Sequence, residues 1–158
     1  MSDLKMLAET EFKWIAGKLD YDGELLFVRY NLTAERWMEN PEFSVMLRFF
    51  VPFNDNIGLE DKLLNKTSQV NLIEDIIREV VFSSITSIHV MCLTNSMMRE
   101  FVFYVTECED TDQKVKEIHQ RISQKVTSHE VQCMAVCEPD WRSYKRYTQM
   151  EKVCIFIS

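Results

Sequence analysis

Three histidines, five cysteines and 25 carboxylates are the side chains of this 158-residue chain that could ligate a metal, attack a carbonyl or move a proton. Their spacing argues against all three. The nearest cysteines, Cys133 and Cys137, have three residues between them and no C-x-x-C occurs. On a strand those two sulfurs stand about 13 Å apart at about 3.3 Å per residue, too far to share one zinc. His89, His119 and His129 are scattered, and none has a second ligand at helical spacing. Cys92 follows His89 by three positions, which on a regular strand turns the two to opposite faces. No G-x-S-x-G, Walker A or G-x-G-x-x-G pattern is present, and three glycines leave little material for a phosphate cradle. Glu138 and Asp140, either side of Pro139, read as solvated carboxylates of a turn. The expectation is a chain with no catalytic residue, no metal and no cofactor.

Two arginines stand out instead. Arg29 and Arg48 each interrupt an apolar, strand-like run. A charge in such a place must snorkel, pair or line a site. A structural ion pair is the first reading for each; a buried polar site that holds an anionic ligand is the second. Trp141, Tyr144 and Tyr147 recur every three residues. They form either a cluster at the core's edge or, with Arg142, a set of interface anchors, since Trp, Tyr and Arg dominate binding hot spots. Met91, Met97, Met98 and Met134 raise the same choice between core filler and adaptable contact surface.

The balance of charge narrows the partners. The formal net charge is −7, and no Lys/Arg cluster offers the basic face that phosphate contacts require. Nucleic acid and anionic membranes are therefore not expected partners; a basic protein is. Asp20, Asp22, Glu24 and Asp140 are candidates for the steering field. Residues 1–11 carry neither the basic start nor the apolar stretch of a signal peptide, and no run reaches the length of a membrane span. The odd number of cysteines, mostly in apolar segments, suits a reducing compartment. A cytoplasmic location is expected.

The elements that must position these groups follow from periodicity. At 158 residues and 46% hydrophobic composition, with few Gly and Pro, one domain over 1–158 is the default. Residues 1–11 read as a short helix or arm, and 12–19 and 24–32 as strands joined at Asp22-Gly23, a strong hairpin signal. Residues 33–42 form a connector. Residues 43–53 are a nearly continuous apolar strand that ends at Pro52. From Leu72 to Val81 apolar residues recur at three and four, predicting a helix over about 68–82, preceded by a short helix and a break or irregular turn, with Ser68 as its cap. Strands follow over 87–93 and 99–107 around the turn 94–97. Asp110 is placed to cap the next helix, with Gln113 in capping-box register and Val115, Ile118, Ile122 and Val126 as its buried stripe. A strand over 131–137 closes the set, and Val153–Ile157 reads as a last strand. The order is β-α-β-β-α-β after an N-terminal hairpin: an α+β, ferredoxin-like core in which the hairpin extends an antiparallel sheet. Right-handed crossovers place both helices on one face and leave the other partly open.

Four stretches resemble a known family. They are Trp14 before the Asp22-Gly23 turn, the strand Phe27-Val28-Arg29-Tyr30-Asn31, the segment Arg99 to Val105, and Glu138-Pro139-Asp140-Trp141-Arg142-Ser143-Tyr144. Together they resemble DUF695, a group of uncharacterised bacterial domains. The last is similar to that family's closing D-P-x-W-x-x-Y pattern, with Glu138 in the place of the Asp. The resemblance covers residues 12–148 and leaves 149–158 as a strand or tail beyond it. It implies no catalytic residues. It implies a relation to the regulator-of-ribonuclease-activity B family, which is ferredoxin-like and acts by binding protein, and to the small acidic immunity proteins found beside secreted toxins.

The functional expectation is a non-enzymatic, protein-binding module. The leading form is an immunity protein or inhibitor that blocks a bacterial toxin or enzyme, with Trp141, Arg142 and Tyr144 as anchors and Asp140, Asp20, Asp22 and Glu24 steering. The alternatives are a regulator of an RNA-processing enzyme, acting through protein contacts, and an enzyme that grips an anionic substrate with Arg29 or Arg48. The apolar strand 153–157 also offers an edge for a homodimer.

Overall fold

A computed structural model describes residues 11–21, 23–53, 69–106, 110–149 and 153–157. Strand β1 (Trp14–Tyr21) and strand β2 (Glu24–Asn31) form the hairpin, in which Gly23 turns at φ 81° and donates its N–H to Asp20 Oδ1 at 2.9 Å. A 3-10 turn (Leu32–Trp37) follows, capped by Asn31, whose Oδ1 accepts from the Ala34 N–H. Then come β3 (Val45–Pro52), helix α1 (Gln69–Ser84), β4 (Ser87–Thr94), β5 (Met98–Val105), helix α2 (Thr111–Lys125), β6 (Gln132–Cys137), helix α3 (Arg142–Thr148) and β7 (Val153–Ile157). The arm over 1–10, Asp22, the break before the long helix and Ser68 lie outside the described residues.

The described strands make one sheet in the order β6-β3-β5-β4-β2-β1-β7, and every neighbouring pair is antiparallel. The fold is thus mixed α+β, with a sheet wider than a simple four-stranded ferredoxin-like fold. The hairpin extends it on the β4 side, as β2 pairs with β4. Strand alternation divides the core in two. Leu47, Phe49, Phe101, Phe103 and Val105 point to the face covered by α1 and α2, against Ile73, Ile77, Val80, Ile118 and Ile122. Helical spacing on α1 and α2 puts exactly those residue types inward, and Val115 packs beside them half-buried.

The second face, which the placement of both helices on one side predicts to be partly open, is covered over part of its area. One end of it is sealed by the 3-10 turn and α3. Trp37, Phe43, Met46, Val28, Ile88, Val102, Tyr104, Trp141 and Tyr144 form a second buried cluster there. The expected connector over 33–42 therefore supplies core residues, Ala34 and Trp37. Two helix-end details differ as well. Asp110 caps α2 in position but makes no side-chain cap bond, and Gln113 reaches forward to Glu117 Oε1 at 3.4 Å instead of back to the cap. No helix among the described residues is long and apolar enough to cross a membrane.

Candidate functional site

The closing motif, expected to hold anchors, is a clasp. Glu138 leaves β6 and is buried, not solvated at the turn. Its Oε1 accepts from the Tyr104 hydroxyl at 2.8 Å and from the Ser143 N–H at 2.6 Å, and its Oε2 accepts from the Ser143 hydroxyl at 3.0 Å. A carboxylate on the first free N–H groups of α3 is the favoured sign for a helix N-terminus. Pro139 and Asp140 then carry the chain to Trp141, which adopts φ 54°. That turn lays the indole flat on Tyr104, with centroids 4.1 Å apart, and lets Nε1–H donate to the Phe43 carbonyl at 2.8 Å. Tyr144, one helical turn on, donates to the Asn31 carbonyl at 2.6 Å. Burial first, and then Glu138, push the Tyr104 hydroxyl's pKa up; burial does the same for Tyr144. Trp141 and Tyr144 are fully buried, so they cannot be the surface anchors proposed from their spacing. They pin α3 to the sheet. Arg142 and Asp140 remain exposed, as do Asp20 and Glu24.

What α3 leaves uncovered is a band across the rest of the second face. Leu26 of β2, Leu93 of β4, Met98 and Glu100 of β5, Glu24 at the hairpin and Tyr147 from α3 line a shallow groove of about 250 Å³. Beside it, Arg48 of β3 pairs through Nε with Glu100 and lies over the Phe50 ring at 5.2 Å. Next in the sheet comes β6, which pairs with β3 and is the outer strand on that side. Its Met134 and Val136 are 40% and 37% exposed on this face. The band thus runs from carboxylates over an apolar floor to β6, the outer strand among the described residues.

The first face holds the other expected site, Arg29. Its Nη2 donates to Glu74 Oε2 of α1 at 2.6 Å, and its guanidinium lies 5.1 Å over the Trp14 ring. Burial alone would lower its pKa, but Cys92 and Glu74 outweigh it and the cation is kept. The structural-pair reading describes both arginines, Arg29 with Glu74 and Arg48 with Glu100. Neighbours that the sequence left unconnected gather here. The register between β4 and β5 slips between His89 and Met91, a bulge that turns His89 and Cys92 to the same face, against the expectation from strand alternation. His89 is buried, stacked on Phe103 at 4.4 Å and edge-on to Trp14 at 5.1 Å. Burial, then Arg29 and Arg78, hold its pKa well below the ordinary imidazole value, so it is neutral at pH 7. Burial likewise pushes the Cys92 thiol up, Arg29 and Arg99 opposing it, which makes it a poor nucleophile.

The remaining chemistry-bearing groups stay apart. Cys133 is half-buried, with its pKa pushed up to about 12 by burial, while Cys137 is exposed rather than a core thiol. His119 sits at the boundary, its Nε2 2.8 Å from the Val131 carbonyl oxygen. No cluster of three or more metal-ligating side chains occurs among the described residues. Tyr104 and Glu74 are residues that spacing does not single out, and Glu138, whose spacing reads as a solvated turn carboxylate, is buried instead. The signal for Glu138 was available: an acidic residue five positions ahead of Ser143 at a helix start.

No curated protein matches the chain. Among solved structures, a REP-associated tyrosine transposase bound to a REP hairpin aligns at 10% identity with a TM-score of 0.34, over 67% of this chain and 62% of that one. The chain spans less than two thirds of that protein's length, and a likeness of this degree says nothing of function. The match over residues 13–148 takes in the Trp14 strand, the Arg29–Glu74 pair and the Glu138–Tyr144 clasp, and by it the chain belongs to DUF695, a family of unknown function.

Proposed function

We propose that this protein is a non-enzymatic binding module, an immunity protein or inhibitor that neutralises a bacterial toxin or enzyme by direct contact in the cytoplasm. The observation that carries the reading is the open band of the second face, where an acidic-rimmed groove runs into the exposed edge strand β6. Edge strands are normally blunted by charge, proline or cover because they pair readily with another chain. Strand β6, with the sequence Gln-Cys-Met-Ala-Val-Cys, carries no charge and no proline, and five of its six residues are exposed. The partner is a basic protein. It approaches the net charge of −7, sets a cationic side chain against Glu24 at the rim of the groove, and lies along β6 over Met134 and Val136. Trp141 and Tyr144 serve indirectly, by fixing α3 at the edge of the groove, where Tyr147 joins its lining. The four strands in the order β6-β3-β5-β4 are read as a ferredoxin-like core, since that is the order a β-α-β-β-α-β unit adopts. Strand β7, at the opposite edge, is the place for a homodimer contact.

The test is co-elution on a sizing column with the products of neighbouring genes, at low and high salt. Binding that weakens with salt and is lost in Met134→Lys/Val136→Lys, with the fold intact by circular dichroism, supports the reading. A complex that survives both substitutions unchanged refutes the edge as the contact. An RNA-processing enzyme captured through the same band would place the protein among regulators instead.

A further inference from the structure

Strand β6 has β3 on one side and, among the described residues, no strand on the other. One bond tells which of its residues use which side. The Glu138 N–H donates to the Ser44 carbonyl at 2.7 Å, so Glu138 and Ser44 form a hydrogen-bonded pair. Such pairs alternate along an antiparallel ladder. The register Met46 with Val136, Arg48 with Met134 and Phe50 with Gln132 then commits the backbone groups of the even residues to β3. The far side of β3 agrees: Phe53 donates to the Met97 carbonyl at 2.9 Å, so the odd residues of β3 serve β5. Cys133, Ala135 and Cys137 therefore turn their N–H and C=O groups outward, to the open edge.

That edge is complementary to itself. From Cys133 the strand reads Cys-Met-Ala-Val-Cys, a near-palindrome about Ala135. An antiparallel second copy centred there sets Ala135 against Ala135, and Cys133 against Cys137, in pairs that exchange two backbone bonds each. Between them Met134 meets Val136 of the second copy at the closer, non-hydrogen-bonded spacing. These two side chains are 40% and 37% exposed on the second face. A two-fold axis gathers them and their equivalents into one apolar cluster. A strand without charge suits such a contact, because the net charge of −7 on each copy opposes approach elsewhere on the surface.

We propose that two copies of this protein pair through β6, antiparallel and centred on Ala135, so that the sheet continues from one chain into the next. The dimer occupies the edge assigned above to the partner and is a self-masked form that the partner must displace. That masking role rests on the reading of β6 as the partner's edge; the dimer itself does not. The β7 contact lies at the opposite end of the sheet and is separate from it.

Sedimentation equilibrium of the full chain over a dilution series measures the dimer, with a reducing agent present so that no disulfide contributes. Both copies are acidic, so association should tighten as salt rises, the reverse of the response to a basic partner. Ala135→Glu sets two carboxylates opposite each other at the axis and should raise the dissociation constant about fivefold or more. Ala135→Lys should do the same. An equimolar mixture of the two variants should recover the lost affinity, since unlike charges then meet at the axis. Ala135 is exposed, so both variants should keep the parent's circular dichroism. Should either fail to fold, Ala135→Pro replaces them: it removes an outward N–H, spares the bonds to β3, and should abolish the dimer. A parent chain that stays monomeric across the series overturns the proposal and leaves the partner reading untouched. A dimer that Ala135→Glu or Ala135→Pro leaves intact also overturns it, as does a mixture no tighter than either variant alone. A dimer that behaves as expected in a protein that captures no partner sinks the partner reading and not this one.

Discussion

Replacing Trp141 with alanine separates a core tryptophan from a surface anchor more sharply than any other change. The indole is fully buried, stacked on Tyr104 at 4.1 Å and bonded to the Phe43 carbonyl at 2.8 Å. A tryptophan of this kind removes about 200 Å² from water. At about 25 cal/mol per Å² that is about 5 kcal/mol. That area is an upper bound, since the unfolded chain already buries part of it, and alanine retains a little, so Trp141→Ala should destabilise by about 3–5 kcal/mol, the range of large-to-small core changes. That is a large share of the 5–15 kcal/mol or so that holds a domain together. The backbone supplies a second test. At φ 54° alanine keeps the left-handed cost and glycine does not. Trp141→Gly should therefore be more stable than Trp141→Ala by about 1 kcal/mol, the reverse of the usual order. Urea titration followed by circular dichroism measures both. A loss below about 1 kcal/mol for Trp141→Ala, in the range of ordinary surface changes, would refute the clasp, and so would a glycine variant weaker than the alanine one.

Glu138→Ala strands the Tyr104 hydroxyl and the Ser143 N–H together, and should cost about 3 kcal/mol. Tyr104→Phe should cost about 1 kcal/mol, and a double-mutant cycle on urea midpoints should return a coupling of about 1 kcal/mol; strict additivity would mean the bond contributes nothing. His89 sets an acid limit. Its folded pKa lies well below the ordinary 6.5, so between those values the unfolded chain binds the extra proton. Stability is then fully present above 6.5 and falls with pH below it, by up to about 1.4 kcal/mol per unit. His89→Phe, which preserves the stack on Phe103, should flatten the slope; parallel curves for the two proteins from about pH 7 to 5 would contradict it.

Much of the scaffold was legible because it depends on local periodicity. The apolar strand around Leu47, the α1 stripe from Ile73 to Val81, the α2 stripe and the Gly23 turn each follow from spacings of two, three or four and from a residue that tolerates positive φ. The site was less legible, because its pieces come from far apart. Glu74 lies 45 residues from Arg29, and Phe43 lies 98 from Trp141. A repeat of Trp and Tyr every three residues fits a core clasp and an interface equally well, and only the position of Tyr104 and Phe43 makes it a clasp. Glu138 looked like a turn carboxylate until α3 folded back over it.

By itself, then, the sequence determined that the chain would form an α+β domain with one antiparallel sheet, acidic, and with arginines that had to be neutralised inside it. Short-range sterics and hydrophobic spacing suffice for that. Tertiary structure decided the rest: which carboxylate meets each arginine, that a one-residue bulge in β4 brings His89 and Cys92 to the same face, and that α3 covers half the second face and leaves the band beside β6. Those outcomes depend on register and on long-range packing, where a slip of one residue exchanges inside for outside, and no local pattern encodes which way it goes.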